Sequence, residues 1–291
     1  MTPFELLQPR SFREAIALLD PEDVETRPMA GGTAIMLMMK TGMFRPRQLV
    51  SLRGVEASYR RIEVADDGAL RIGALTPLAA LERSPDVVRH APVIARTMRR
   101  LSNVRVRNVA TIGGSLGHAD PHMDLPPVLT ALGAEVKAIG SAGERTIAVA
   151  DLITDYYETV LRPDELVAEV RVPAQAGRRT AYIKMTARSA DDWPAVGIAI
   201  SLGGGGDAIE DARVVVSAAT ARPTRIRAAE EALRGGGDPL AAARRAGEAA
   251  AEEAEVIGDA HGSAAYKKQL IRVCVARAAG QALEAPPDDR G

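Results

Sequence analysis

Several kinds of chemistry are excluded by what this chain lacks. Of its 291 residues only Cys274 is a cysteine, so there is no disulfide framework and no iron–sulfur cluster ligated by this chain alone. Aromatic residues make up only 3%, and Trp193 is the one tryptophan. Lysine is confined to Lys40, Lys137, Lys184, Lys267 and Lys268, so a lysine beside a motif carries more information than usual. A net charge of −1 gives no electrostatic footprint for nucleic acid. No run approaches the ~18 apolar residues of a membrane span. The opening Met1-Thr2-Pro3-Phe4-Glu5 lacks the basic and apolar regions of a signal peptide, and a cytoplasmic protein is expected. What is present is ordinary for a globular protein: 46% apolar and 26% charged residues, in a length that suits two or three small domains.

Against that background two glycine-rich segments stand out, Ala30-Gly31-Gly32-Thr33-Ala34-Ile35 and Thr111-Ile112-Gly113-Gly114-Ser115. Each follows a strand-like stretch. Glycine leaves backbone amides approachable because no Cβ stands in the way. Two such segments are expected to grip one long anionic ligand, and a dinucleotide pyrophosphate has that shape. The first alone reads better as a tight strand–helix connection, and it lacks the third glycine of the Rossmann fingerprint. The second is richer. Thr111 and Ser115 add hydroxyls, and Asp120, in Gly117-His118-Ala119-Asp120-Pro121, is a candidate acceptor for ligand hydroxyls.

The element pattern is mixed α+β. Ser11 and Glu14 form a capping box that starts a helix. A strand over 26–29 leads into the first glycine segment, a helix over 34–40 stops at Gly42, and 48–52 reads as a buried strand. A hairpin turns at Asp67-Gly68. Helices follow from Thr76-Pro77, Ser84-Pro85 and Pro92, and 104–111 reads as a strand before the second glycine segment. Asp124 is expected to cap a helix carrying Pro126 and Pro127 that ends at Gly133, with strands over 135–139 and 165–172. After a linker at 173–179 come a strand over 181–186, a hairpin from 195–202 to 213–219, and helices over 226–233, 240–254 and 263–283. The resulting division is 1–55, 56–173 and 174–291, with a frayed tail from Ala285 to Gly291.

Other features have plain readings. Gly203–Gly206 lacks a following Lys-Ser or Lys-Thr and reads as a hairpin tip, not a phosphate loop. Asp191-Asp192 reads as solvated loop charge, His118 as a polar contact, and Cys274 as a buried apolar residue on a helix. No acid–base, nucleophile or metal constellation emerges.

In Ala30–Lys40, Pro46–Leu52, Arg107–Leu125, Tyr182–Val196 and Tyr266–Ala278 the chain resembles the flavoprotein, or medium, subunit of the molybdenum hydroxylases: carbon monoxide, xanthine and aldehyde dehydrogenases and related enzymes. The resemblance spans nearly the whole chain. It implies a two-subdomain FAD-binding fold of the vanillyl-alcohol-oxidase (PCMH) type plus a C-terminal α+β domain. It implies non-covalent FAD, its pyrophosphate on 30–35 and 111–115, with Asp120 at the ribityl chain, Leu166 on the adenine side, and Lys184 and Trp193 close to the flavin. The alternative for Trp193 is a ring filling the core. The resemblance further implies a small [2Fe–2S] subunit and a large molybdopterin subunit as partners, in a dimer of heterotrimers that passes electrons through FAD to an external acceptor. Thr33, Ser115 and the Trp193-Pro194 pair depart from the residues usual in the family. Two further readings stay open on the residues alone: a self-contained FAD oxidoreductase and a non-catalytic nucleotide-binding protein.

Overall fold

The computed structural model describes residues 2–189, 191–204, 209–234 and 237–284. The expected frayed tail lies outside them, as do the last two glycines of the Gly203–Gly206 tip.

The first layer is small and parallel. It comprises β1 (Glu5–Leu7), α1 (Phe12–Ala17), β2 (Thr26–Met29), α2 (Thr33–Thr41) and β3 (Gln48–Ser51). Ser11 caps α1 as expected, its hydroxyl accepting from the Glu14 amide; the returning Glu14 carboxylate takes the Arg10 amide instead of the Ser11 amide. β1 and β2 both pair in parallel with β3, so the short apolar run of β3 is the centre of the sheet, with Leu49 and Val50 fully buried on opposite faces. Gly32 and Gly42, both in the left-handed region, bracket α2.

The second part comprises β4 (Ile62–Val64), β5 (Leu70–Gly73), α3 (Leu78–Arg83), α4 (Pro85–His90), α5 (Pro92–Met98), α6 (Val104–Arg107), α7 (Ile112–His118), α8 (Leu125–Leu132), β6 (Glu135–Gly140), β7 (Gly143–Ala148), α9 (Val149–Leu152), β8 (Ile153–Asp155), β9 (Glu158–Thr159) and β10 (Leu166–Val172). Its main sheet runs β4-β5-β10-β6-β7, all antiparallel. Two expectations fail here. The alternating valines of Val104–Thr111 do not form a strand: Asn103 accepts from the Arg105 and Val106 amides and starts α6. Asp124 precedes α8 without bonding its amides, because its carboxylate is drawn to Tyr182 and Lys184.

The third part comprises β11 (Arg179–Met185), β12 (Val196–Gly203), β13 (Asp211–Ser217), β14 (Thr224–Arg225), α10 (Arg227–Leu233), α11 (Pro239–Glu253) and α12 (Ala264–Glu284), with the strands in that order in one antiparallel sheet. Every residue of β12 is buried, because α8 packs on one face of the sheet and α12 on the other. Every residue of α8 is buried too, as a helix apolar on all sides requires. One core therefore continues from the middle sheet through α8 to Ala199 and Val215. The opposite face of the middle sheet, through Leu166 and Ala168, packs on Phe12, Val50 and Leu52 of the first layer.

The helical glycines of α7 are not equivalent. A Cβ on Gly113 would lie 2.6 Å from the Ala74 Cβ, whereas one on exposed Gly117 meets nothing within 4 Å. Gly113→Ala is expected to cost about 1–3 kcal/mol through overpacking, and Gly117→Ala to gain roughly 0.5–1 kcal/mol of helix propensity. Urea unfolding of the two variants without cofactor checks the contrast, and equal stabilities would contradict this packing.

Candidate functional site

The two glycine segments meet. A Cβ on Gly31 would lie 2.2 Å from the Val109 carbonyl oxygen, and one on Gly114 would lie 3.5 Å from the Ala30 Cβ. Only glycine permits the first contact, so the backbones touch where the first layer abuts the loop before α7. A cavity of about 920 Å³ opens beside it, lined by Gln8, Arg10, Met29, Ala30–Gly32, Met36, Ser51 and Arg53. A side pocket of about 160 Å³ shares Ala30, Gly31 and Arg53 with it and adds Arg60, Asn108 and Thr111.

The segments contribute differently. Gly32 starts α2 with no side-chain cap, so the first-turn N–H groups, which have no intrahelical partner, lie at a positive helix end beside the cavity that Gly32 and Met36 line. In the second segment most amides are already bonded. The amides of Ile112, Gly113 and Gly114 are spent on the Thr76 carbonyl, the Ala74 carbonyl and the Thr111 hydroxyl. Thr111–Ser115 thus also supplies a wall of small residues, locked against 74–76. The Ser115 hydroxyl is turned to the Met123 sulfur at 3.3 Å. The site fits FAD through a cradle that side chains would fill and an uncapped helix start.

Asp120, His122 and Asp124 sit on the loop between α7 and α8, and of the other predicted residues Lys184 and Trp193 converge there. Asp120 is buried and accepts from the His122 amide at 2.8 Å and the Tyr157 hydroxyl at 3.1 Å, with His122 Nδ1 at 3.2 Å. Burial raises its affinity for a proton, but the bonds and charge of His122 outweigh that and hold the carboxyl below its usual range. Tyr157 is pushed up to about 12 by partial burial and by Asp120. On its other side, His122 Nε2 lies 2.8 Å from Asp259, whose Oδ2 also takes the buried Lys267 ammonium at 2.7 Å. Burial opposes protonation of His122, yet the two carboxylates raise its pKa. Trp193 is 49% exposed and does not fill the core; its indole stacks on His122 at 5.7 Å and meets His261 edge-on at 6.4 Å. Three of the four described non-glycine residues with positive φ, Ala119, Tyr157 and Ala218, hold this cluster. Tyr157 donates to the Ala119 carbonyl, and Ala218 donates to the Pro121 carbonyl. Such strain persists only where surrounding structure enforces it.

Lys184 is fully enclosed. Its ammonium lies 2.9 Å from Asp124 and 3.2 Å from the Arg100 carbonyl. Burial pushes the Asp124 carboxyl up against the pull of Lys184, and burial with that carboxylate holds the Tyr182 phenol well above its ordinary value. Leu166 is buried in the seam beneath the first layer and lines neither cavity. Sequence reasoning missed Arg53, Arg60, Asn108, His122, Asp259 and Lys267; the scarcity of lysine was the signal available for Lys267. Among the described residues no group of His, Cys, Asp or Glu is placed to hold a metal, and no helix is long and apolar enough to cross a membrane.

Residues 2–175 match the family described as the FAD binding domain in molybdopterin dehydrogenase, and residues 181–282 match the CO dehydrogenase flavoprotein C-terminal domain. The chain belongs to this family of FAD-binding medium subunits, and it is an oxidoreductase subunit of the molybdenum hydroxylases. It is 31% identical to the nicotine 6-hydroxylase medium subunit of Paenarthrobacter nicotinovorans, over 92% of this chain and 93% of that one. It is 30% identical to the carbon monoxide dehydrogenase medium chain of Hydrogenophaga pseudoflava, over 94% and 95% respectively. The solved carbon monoxide dehydrogenase from Hydrogenophaga pseudoflava superposes with a TM-score of 0.92 at 32% identity, covering 97% of this chain and 98% of that one. Quinoline 2-oxidoreductase from Pseudomonas putida 86 gives 0.90 at 28% identity, covering 97% and 98%.

Two outcomes follow from this geometry. His122 has a raised folded-state pKa, so its ion pairs contribute fully below about pH 6.5, the unfolded value, and are lost as pH rises through the folded value. Melting temperature is expected to fall over that window, with Asp120, Asp259 and Lys267 as the facing charges and Tyr157, His118 and His261 beside them; the His122→Asn chain should lose that slope, and parallel curves would exclude the ion pairs. Lys184→Met strands the buried Asp124 carboxylate and should cost about 3–5 kcal/mol in urea unfolding, part of it recovered by adding Asp124→Asn.

Proposed function

We propose that this chain is the electron-exit subunit of a three-subunit molybdenum-containing dehydrogenase in the cytoplasm. The observation that carries the reading is the meeting of Gly31 with Val109 and of Gly114 with Ala30 beside a cavity of about 920 Å³. Family membership over almost the whole chain supports it. Its working parts are read as subdomains 1–55 and 56–173, which close on the cofactor, and a C-terminal domain, 174–291.

Bound FAD supplies the redox chemistry, taking electrons from [2Fe–2S] clusters on a small partner subunit and giving them to an external acceptor. The chain's own residues bind and orient. Ala30–Ile35 present an uncapped helix start to the pyrophosphate, and Thr111–Ser115 form the opposing wall without side-chain bulk. Asp120 is oriented by His122 and Tyr157 as an acceptor for the ribityl chain. Trp193, stacked on His122 and half-exposed, limits which acceptors reach the flavin, and Lys184 fixes the Asp124 loop from behind. Leu166 supports the adenine side through backbone. The substrate is oxidised on the large molybdopterin subunit, which accounts for the lack of an acid–base or nucleophile constellation here. The assembly is read as a dimer of heterotrimers on the family resemblance.

Expressed alone, the chain should purify yellow, release FAD on denaturation, contain no molybdenum or iron, and show no flavin reduction by carbon monoxide, nicotine or aldehydes. Gly114→Val, which fills the gap toward Ala30, should lose FAD at least tenfold while its circular dichroism is retained. Substrate-driven reduction of the isolated flavin would instead support a self-contained oxidoreductase.

A further inference from the structure

The indole of Trp193 rests on an imidazole that is held from both sides. His122 places Nδ1 3.2 Å from Asp120 and Nε2 2.8 Å from Asp259, and its side chain is 11% exposed. A neutral imidazole has one N–H to donate; only the imidazolium donates from both nitrogens. Two carboxylates facing two ring nitrogens therefore fit the charged form, and a neutral ring would set a nitrogen lone pair against one of them. Both acids are kept ionised. Asp120 also accepts from the Tyr157 hydroxyl and the His122 amide. Burial works against the charge of Asp259, yet bonds from Lys267, His122 and the His261 amide hold its pKa down to about 2.

This clasp joins two parts of the chain, since Asp120 belongs to the loop after α7 and Asp259 to the turn before α12. Trp193 reaches it from a third segment, the connection between β11 and β12. That connection is closed at its base by the Ala195 amide on the Met185 carbonyl at 2.7 Å. Among its described residues the other hydrogen bonds stay inside it: the Asp192 amide on the Ser189 carbonyl, the Trp193 amide on the Asp192 carboxylate, and the Ser189 hydroxyl on Asp191. Arg188 approaches Asp192 at 3.8 Å. The indole itself meets the rest of the molecule through rings. It stacks on His122 at 5.7 Å with an interplanar angle of 16° and meets His261 edge-on. A positive charge over the indole face strengthens such a stack.

We propose that His122 is the positioning residue for Trp193: its imidazolium, clasped by Asp120 and Asp259, fixes the indole at its half-exposed station, and release of one proton to water frees the ring. Burial opposes the charge on His122, but the two carboxylates outweigh it and raise the pKa. The clasp is therefore complete below about pH 6.5, the ordinary value, and opens as pH rises through the folded value. The other titratable or charged groups around it are Lys267, His261, His118 and Tyr157, with Arg188, Asp191 and Asp192 on the Trp193 side. The consequence for acceptors rests on the FAD reading above, in which Trp193 limits access to the flavin: acceptors enter more freely above that window than below it.

The test uses the single tryptophan of the full-length chain, freed of FAD. An imidazolium quenches the emission of an indole stacked on it. Trp193 emission, excited at the red edge to spare the tyrosines, should therefore rise as pH passes upward through the window, and acrylamide should reach the ring more readily. The released population should grow by at least about twofold, the worth of a cation–π contact at a half-exposed site. His122→Gln should emit strongly and stay open to acrylamide at every pH, while His261→Gln keeps the transition. Native emission that stays flat across the window overturns the proposal, and that measurement needs no variant to fold. A transition that survives in His122→Gln, or vanishes in His261→Gln, overturns it too. In the FAD-loaded complex, flavin reoxidation by ferricyanide should quicken over the same window in the native chain and lose that dependence in His122→Gln. A fluorescence transition without the matching change in reoxidation upholds the clasp and refutes the role of Trp193 at the flavin, so the two failures are told apart.

Discussion

The cleft exists because two backbones touch at a point no side chain can enter. Gly31 rests against the Val109 carbonyl, and this contact fixes how the small parallel layer sits on the larger antiparallel part. The cavity walls follow from it. Ala30 and Gly31 are held opposite Asn108 and Thr111, and Arg53, in the turn after β3, comes to the junction of both spaces. Thr111 is in turn locked by Pro77 across an isolated bridge and by the Gly114 amide on its hydroxyl. The glycines of this family motif thus serve approach between backbones as much as approach to a ligand.

A second tier of organisation lies on the loop from Ala119 to Asp124. It receives Lys184 from β11, Trp193 from the segment before β12, and Asp259 and Lys267 from the segment around α12. The buried ion pairs are costly in isolation, and each is completed by further hydrogen bonds: Tyr182 and the Arg100 carbonyl for one, the Ala218 carbonyl for the other. Polar residues from the second and third parts of the chain are therefore fixed in one place next to the end of α7, with strained backbone at Ala119, Tyr157 and Ala218.

Much of this was legible in the residues. The helix between Gly32 and Gly42, the Asp67-Gly68 hairpin, the α8 stop at Gly133 and the buried run of β3 all obey local rules of capping, turns and periodicity. The failures have tertiary causes. Val104 and Val106 alternate with arginines as an edge strand would, but Asn103 caps a helix there and Arg107 folds back onto the Leu101 and Ser102 carbonyls and Glu82. Asp124 has the form of a helix cap and is claimed by a lysine far along the chain. Arg53 and Arg60 carry no local signature, because the absence of acids around them is a property of the assembled cleft. His122 stood beside Asp120 in the sequence, but its second carboxylate comes from a distant segment.

Helix α8 has a consequence for how this architecture is inherited. It belongs by sequence to the FAD-binding half, yet its far side is roofed by β12 and β13 of the C-terminal half. Neither half closes the core around α8 by itself: separating them would bare a helix with no polar face and one side of a strand with no exposed residue. Recombination between relatives at the linker after Val172 must therefore carry a matched pair of surfaces, and the two halves are bound to diverge in step.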